Sequence, residues 1–313
     1  MRHEWMDGVR GLAIVAVVLF HAELVAGPLT WLSEVNQELA HVRMPLLVGL
    51  SGLLLARSLA KGPRRHLAGK VRAVLWPYLV WATLDLTHVV VDRLVAREPL
   101  PADLARLAVY NPASYLWFLA FLFCYHVLAT PMPAWLRSVA GPVLVLVGGT
   151  IESSDLHRFV ALAGWFLVGD LLGRVAGPRV PRSVAAAVGE VRWGVLARIG
   201  RQSVVYYACH LLVMVYVVRL VREAGVDDPR LVVPVAVVVP LAVGAALVRL
   251  RRHRWVDALF VWPRVDSTAG TEQSGADAHR DQEGRECLAT PSGRPRSTRR
   301  PRSTPSAASS SRS

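Results

Sequence analysis

The chain is poor in the residues that anchor several soluble chemistries. Its three cysteines, Cys124, Cys209 and Cys287, are odd in number and far apart, which excludes a disulfide framework, and no metal-ligand spacing surrounds them. Cys124 and Cys209 fall inside apolar segments and read as small core residues. Histidines do not pair on one helix at the spacing of a zinc site, so no metal is expected. No glycine-rich phosphate loop or nucleotide fingerprint occurs. No internal repeat is evident, and acidic residues are outnumbered, 23 against 36 lysines and arginines.

What is present is apolar sequence in long blocks. Of 313 residues 53% are hydrophobic, the mean hydropathy is +0.36, and arginine-rich stretches separate the blocks, the profile of a polytopic membrane protein. In a soluble chain a net charge of +13 would point to nucleic acid. Here the basic residues lie between apolar blocks and in the tail, where membrane orientation explains them, and no nucleic-acid partner is expected.

Segments near 11–29, 44–60, 72–91, 115–131, 204–221 and 231–250 are long enough to span a bilayer, at about 20 residues each. Two shorter candidates, near 139–151 and 159–173, bring the count to about eight. The stretch 184–199, interrupted by Glu190 and Arg192, reads as an interfacial helix. Loop charges test the count. Lys61, Arg64, Arg65, Lys70 and Arg72 fall between the second and third spans, and Arg174, Arg179, Arg182, Arg192, Arg198 and Arg201 between the sixth and seventh. Arg249, Arg251, Arg252 and Arg254 follow the eighth, whereas the opposite loops, carrying Glu34, Glu38, Arg43, Asp92, Asp103, Arg106, Asp227 and Asp228 among others, are balanced. The expected fold is all-α, a helical bundle with both termini cytoplasmic, in the cell membrane.

A signal peptide is the competing reading of the N-terminus, since Arg2 and Arg10 precede an apolar run ending near Ala26 and Gly27. His21 and Glu23 are poor companions for such a segment, and retention as the first span is the better reading. Residues 1–265 are expected to form the membrane domain. From residue 266 the chain turns to Ser, Arg, Pro, Thr and Gly and reads as a disordered basic tail, 266–313, because it cannot bury enough apolar surface to fold.

The most informative pair is Arg10 and His21. Eleven residues make about three helical turns and about 16 Å of rise, so both project from one face, the arginine near the headgroups and the histidine within the bilayer. An ionisable group at that depth is costly and marks a functional site by default. Asp7, one turn before Arg10, is a candidate ion partner. Ser203, Tyr206 and His210 recur on one helix face. Asp85, Thr87, His88, His126 and Asp170 are further polar groups in spans, read chiefly as structural contacts, with Asp85 and His88 a possible proton pair.

These residues carry a resemblance. Met6-Asp7-Gly8-Val9-Arg10-Gly11-Leu12-Ala13-Ile14-Val15 followed by Phe20-His21 is similar to the first helix of the membrane acyltransferase 3 family, a basic residue, ten residues and a histidine. Gly49-Leu50-Ser51-Gly52-Leu53-Leu54-Leu55 resembles the family's Ser-Gly segment in the next span, with aliphatic residues in place of aromatic ones. Arg72 with Trp76-Pro77-Tyr78, then Leu116-Trp117-Phe118-Leu119, then Ile199-Gly200-Arg201-Gln202-Ser203 leading to Tyr206 and His210 follow in the family's order.

The resemblance implies an integral membrane O-acyltransferase that takes an acyl group, most often acetyl, from cytoplasmic acyl-CoA to a hydroxyl of a sugar, glycan or small metabolite. Its partners are then the lipid bilayer, acyl-CoA and that acceptor. A histidine suits the base that removes the hydroxyl proton, or an acyl relay, so His21 is the catalytic candidate. Arg10, permanently charged, is placed to hold the donor or the histidine. Arg65, Lys70 and Arg72 are candidates for the coenzyme A phosphates; Ser203, Tyr206, His210, Trp117 and Ser51 are candidates for the substrate pocket. Ser51 beside Gly49 and Gly52 also reads as a close-packing position rather than a nucleophile. A proton-coupled permease and an inactive relative remain as alternatives.

Overall fold

A segment without water must satisfy every backbone N–H and C=O within itself, so long apolar runs in a bilayer fold as helices. The computed structural model describes residues 4–100, 115–175 and 193–263. Among these, six helical stretches are long and apolar enough to cross a membrane: Glu4–Ala26, Thr30–Leu59, Pro63–Val95, Asp155–Val175, Ser203–Glu223 and Pro229–Leu250. The protein is a polytopic, all-α membrane protein. One compact unit covers Met1–Pro263. The tail 266–313 with Cys287, residues 184–192 of the expected interfacial helix, and the loop charges Asp103, Arg106, Arg179, Arg182 and Arg192 lie outside the described residues.

The elements are α1 (Glu4–Ala26), α2 (Thr30–Gly52), α3 (Leu55–Leu59), α4 (Pro63–Lys70), a π-helical turn at Val71–Leu75, and α5 (Trp76–Val95). They continue with α6 (Trp117–Ala129), α7 (Ala134–Gly148), α8 (Ser154–Val175), α9 (Gly194–Arg201), α10 (Ser203–Glu223), α11 (Pro229–Leu250) and α12 (Arg254–Asp257). Two expectations exchange places. The segment near 115–131 is only a 13-residue helix, whereas 159–173 belongs to the 22-residue α8. At about 1.5 Å per residue α6 is about 20 Å long, short of a hydrocarbon core of about 30 Å. Pro131 and Pro133 follow its end, and a helix stops readily just before proline. The two shorter apolar helices α6 and α7 add to the six long ones, and the end of the described unit is tied back to residues just before α10 and α5. Arg251 donates to Gln202 Oε1 at 2.6 Å, and Arg72 donates to the Trp262 carbonyl at 3.3 Å.

Residues 30–43, expected as a polar loop, are instead the first half of α2. Gly27 makes this possible. Its φ of +114° is available to glycine at little cost, and it turns the chain so that α2 runs back along α1. Leu32, Asn36, Arg43, Leu47 and Leu50 form the buried face of α2, so the helical stripe continues through two polar residues.

Apolar burial does little to join helices inside lipid, and close backbone packing takes its place. A Cβ at Gly200 would collide with the Asp7 carbonyl, and one at Gly11 with the Leu196 carbonyl, so α9 lies directly against the start of α1. Likewise, a Cβ at Gly52 would collide with the Phe166 carbonyl, and one at Gly169 with the Gly49 carbonyl, where α2 crosses α8. A buried ion cluster joins α7 to α8. Asp170, fully buried, accepts from Arg137 Nε at 2.9 Å and from Arg174 Nε at 3.0 Å. Arg137 also donates to the Met132 carbonyl at 2.6 Å, and Arg174 to Ser138 Oγ at 3.0 Å.

Candidate active site

α1 and α10 run side by side in the same direction, with Arg222 at the end of α10 donating to the Ala26 carbonyl at the end of α1, 3.1 Å away. This parallel packing brings His21 to His210, from residues 189 positions apart. The His210 Nε2 to His21 Nδ1 distance is 3.3 Å, the ring centroids are 4.9 Å apart and the planes meet at 65°. His210 is buried and His21 half-buried.

The carbonyls around the pair set its protons. His210 Nδ1 is 2.7 Å from the Tyr207 carbonyl, which can only accept, so Nδ1 carries the hydrogen and Nε2 of the neutral ring is an acceptor. His21 Nδ1 is 2.9 Å from the Val17 carbonyl, so it too carries hydrogen, shared between that oxygen and His210 Nε2. The basic nitrogen of neutral His21 is therefore Nε2. Two tyrosines hold His210 in place: Tyr115 donates to the Ala208 carbonyl at 2.6 Å, Tyr207 donates to the Tyr115 carbonyl, and the Tyr115 ring stands edge-on to His210 at 5.3 Å.

Eleven residues below His21 on the same helix, Arg10 donates to the Leu50 carbonyl at 3.5 Å and lines a small cavity of about 50 Å³. Ser51, Ser203, Phe118 and Tyr207 share its wall, with Val74 from the π-helical turn. Thus Arg10, Ser51 and Ser203, far apart in sequence, meet on one cavity wall. Ser51 Oγ donates to the Leu47 carbonyl at 3.1 Å, and its neighbour Gly52 packs against α8.

Other candidates lie elsewhere. Tyr206 faces α11, where its ring fills the space a Gly244 side chain would need; its neighbour Tyr207 lines the cavity instead. Trp117 likewise turns away, its ring 5.0 Å from the Arg158 guanidinium, leaving Phe118 on the cavity wall. Half-buried Lys70 stands within electrostatic range of Arg10, while Arg65 is exposed on α4. Arg72 ties the chain near Trp262 to the third pass, helped by Trp76 Nε1, which donates to the Ala258 carbonyl at 2.6 Å. His88 bonds Tyr216 at 2.8 Å and faces Asp92 at 3.6 Å. Among the described residues no group of three or more His, Cys, Asp or Glu could hold a metal.

Residues 3–168, just over half of the chain, match the family model described as an acyltransferase domain, acyltransferase 3. The chain belongs to that family. The protein is thus a membrane acyltransferase, and the matched region contains Arg10, His21, Ser51, Arg65, Lys70, Arg72 and Trp117 but ends before Ser203, Tyr206 and His210. No curated protein and no solved structure matches the chain.

Three residues of this acyltransferase escaped the sequence reading. Asn36 and Arg43 sit in what reads as a loop, and Tyr207, next to the candidate Tyr206, is not singled out by the sequence. The available signal was helical spacing: Asn36 and Arg43 are seven residues apart, almost two turns, and in phase with buried Leu32, Leu47 and Leu50.

Proposed function

We propose that this acyltransferase carries an acyl group, acetyl in the first instance, from acyl-CoA to a hydroxyl of a sugar, glycan or small metabolite, with His21 as the general base. The supporting observation is the His21–His210 contact, in which the carbonyls of Val17 and Tyr207 leave His21 Nε2 as the lone-pair nitrogen.

In the proposed step the acceptor hydroxyl gives its proton to His21 Nε2 as its oxygen attacks the thioester carbonyl. The new C–O bond forms, the C–S bond breaks, and the thiolate takes the proton back from imidazolium, leaving an ester and free coenzyme A. While His21 is charged, its Nδ1–H lies between two acceptors, the Val17 carbonyl and His210 Nε2, which favours the imidazolium without a carboxylate. Phosphates of the donor would meet Arg10, Lys70 and the exposed Arg65 at the basic end of the bundle, the end assigned to the cytoplasm of the cell membrane by its arginines. Arg72, already bonded to the Trp262 carbonyl, would reach the donor only through its remaining N–H groups. The cavity at Arg10 is too small for the pantetheine arm, so the donor must widen it, most simply by moving Phe118 and Leu122 of α6.

A His21→Ala variant in membranes, incubated with acetyl-CoA and candidate hydroxyl acceptors, is expected to insert normally and to lose acceptor-dependent release of free coenzyme A. Undiminished release by that variant overturns the assignment. Membership in an acyltransferase family weighs against the permease reading, and acceptor-dependent release would also separate an active enzyme from an inactive relative.

A further inference from the structure

α1 carries a second recess beyond His21, at the end opposite Arg10. The Gly27 turn closes it, and α2 forms its far wall. The recess measures about 530 Å³, within the roughly 300–1,000 Å³ range of small-molecule sites. Phe20, Glu23, Ser33, Asn36, Gln37 and Arg43 line it. No residue lines both this groove and the Arg10 cavity, and His21 lies between them on the helix that walls both.

The groove holds a connected polar network. Glu23 accepts from Ser33 Oγ and from Asn36 Nδ2, the latter at 2.6 Å. Asn36 Oδ1 accepts from Arg43 Nη1 at 3.4 Å. The Arg43 guanidinium stacks on Phe20, 4.1 Å from its centroid, and Phe20 stands edge-on to His21 at 5.1 Å. Arg43 is only 8% exposed and Asn36 only 4%. Burying a guanidinium and an amide in a membrane protein is costly unless their hydrogen bonds are used. Simple solubility would not require them on the inward face of α2.

From this network we infer that the groove binds the hydroxyl acceptor, and that its paired charges select neutral, polyhydroxylated molecules over charged ones. The inference rests on the proposed function for the identity of the reaction. The carboxylate and the guanidinium belong to one hydrogen-bonded chain, so their charges balance. An anionic acceptor gains from Arg43 but is opposed by Glu23, and a cationic one meets the reverse. A hydroxyl can donate to the carboxylate and accept from the guanidinium or the Gln37 amide. Donor and acceptor would then approach His21 from opposite ends of α1, so neither has to leave before the other arrives.

Binding without donor tests this independently of catalysis. The full-length protein in detergent would be titrated with methyl glucoside, methyl glucuronide and methyl glucosaminide, followed by saturation-transfer NMR. The neutral glycoside is expected to bind at least about tenfold more tightly than either charged one. Gln37→Trp, at an exposed position where folding is not at stake, fills the groove and is expected to weaken binding by about tenfold or more. Arg43→Gln should weaken it by about 10–100-fold, the loss of hydrogen bonds from a charged group. In Glu23→Gln the glucuronide is expected to approach the neutral glycoside in affinity. Equal binding of the neutral glycoside by parent and Gln37→Trp proteins overturns the inference, as does tighter binding of either charged glycoside to the parent. Glycerol phosphate binding more tightly than the neutral glycoside also overturns it and makes the groove a lipid-headgroup site. Each of these results leaves the His21→Ala outcome for coenzyme A release unaffected, so the two readings fail separately.

Discussion

Two pairs of histidines stand in the same bundle with almost the same ring geometry. His21 and His210 have centroids 4.9 Å apart and planes at 65°; His66 and His126 have centroids 5.1 Å apart and planes at 61°. Their polar surroundings differ. In the first pair each ring meets a backbone carbonyl, so both tautomers are set and one basic nitrogen is left. In the second, His66 Nδ1 bonds Ser58 Oγ at 2.7 Å. His66 Nε2 and both nitrogens of His126 have no hydrogen-bond partner among the described residues, and Phe166 stands edge-on to His126 at 4.9 Å. Ring contact is common to both pairs; the first differs in an oriented carbonyl acceptor beside each ring and in a recess to either side of His21 along α1, which the proposed base would use.

Substitutions can break or sharpen this contrast. The largest effect is expected at His21: alanine should lower the transfer rate by about 10²–10⁴-fold, the usual worth of a positioned base, with the amount of inserted protein unchanged. Coenzyme A release per mole of inserted protein measures it. Next comes His210→Ala, which removes the acceptor that His21 Nδ1–H faces across the pair; a loss of about 10–100-fold is expected, chiefly in kcat. His210→Asn, whose side chain can still accept a hydrogen bond, should recover part of that loss. Tyr207→Phe deletes the O–H that holds the Tyr115 carbonyl, and a cost of about 0.5–1.5 kcal/mol is expected in thermal stability of the detergent-solubilised protein, with a small fall in rate. The smallest effect belongs to the other pair. His126→Leu removes two buried nitrogens without partners, so activity should stay within about threefold of the parent and stability should hold or rise. A large activity loss in His126→Leu would erase the distinction between the pairs.

The ion cluster offers a control outside both pairs. Asp170→Asn leaves Arg137 and Arg174 without their shared carboxylate and is expected to cost about 3–5 kcal/mol in stability. Its readout is melting temperature, not the rate per folded molecule.

Membrane topology was largely legible because hydropathy is a property of local runs, and the glycines and arginines lie where runs end or helices touch. The exchange between the segments near 115–131 and 159–173 came from counting apolar residues without weighting Pro131 and Pro133, which end α6 early. The first half of α2 was missed for the opposite reason. Its inward face includes Asn36 and Arg43, and a stripe interrupted by polar residues does not register as apolar although the helical phase is intact.

Sequence by itself determined the all-helical membrane-spanning character of the chain, the Arg10–His21 spacing on one helix face, and the candidates Ser51, Ser203 and His210. Each follows from composition, helical period or an ordered set of motifs. Tertiary structure alone decided that His210 meets His21, that Tyr207 and Phe118 line the cavity where Tyr206 and Trp117 do not, and that Glu23 joins Asn36 and Arg43 in one groove. The physical reason is that these contacts depend on how helices pair across 10 to 189 residues of sequence. That pairing is set by the Gly27 turn and the glycine contacts of α1 with α9 and of α2 with α8, which no local pattern specifies.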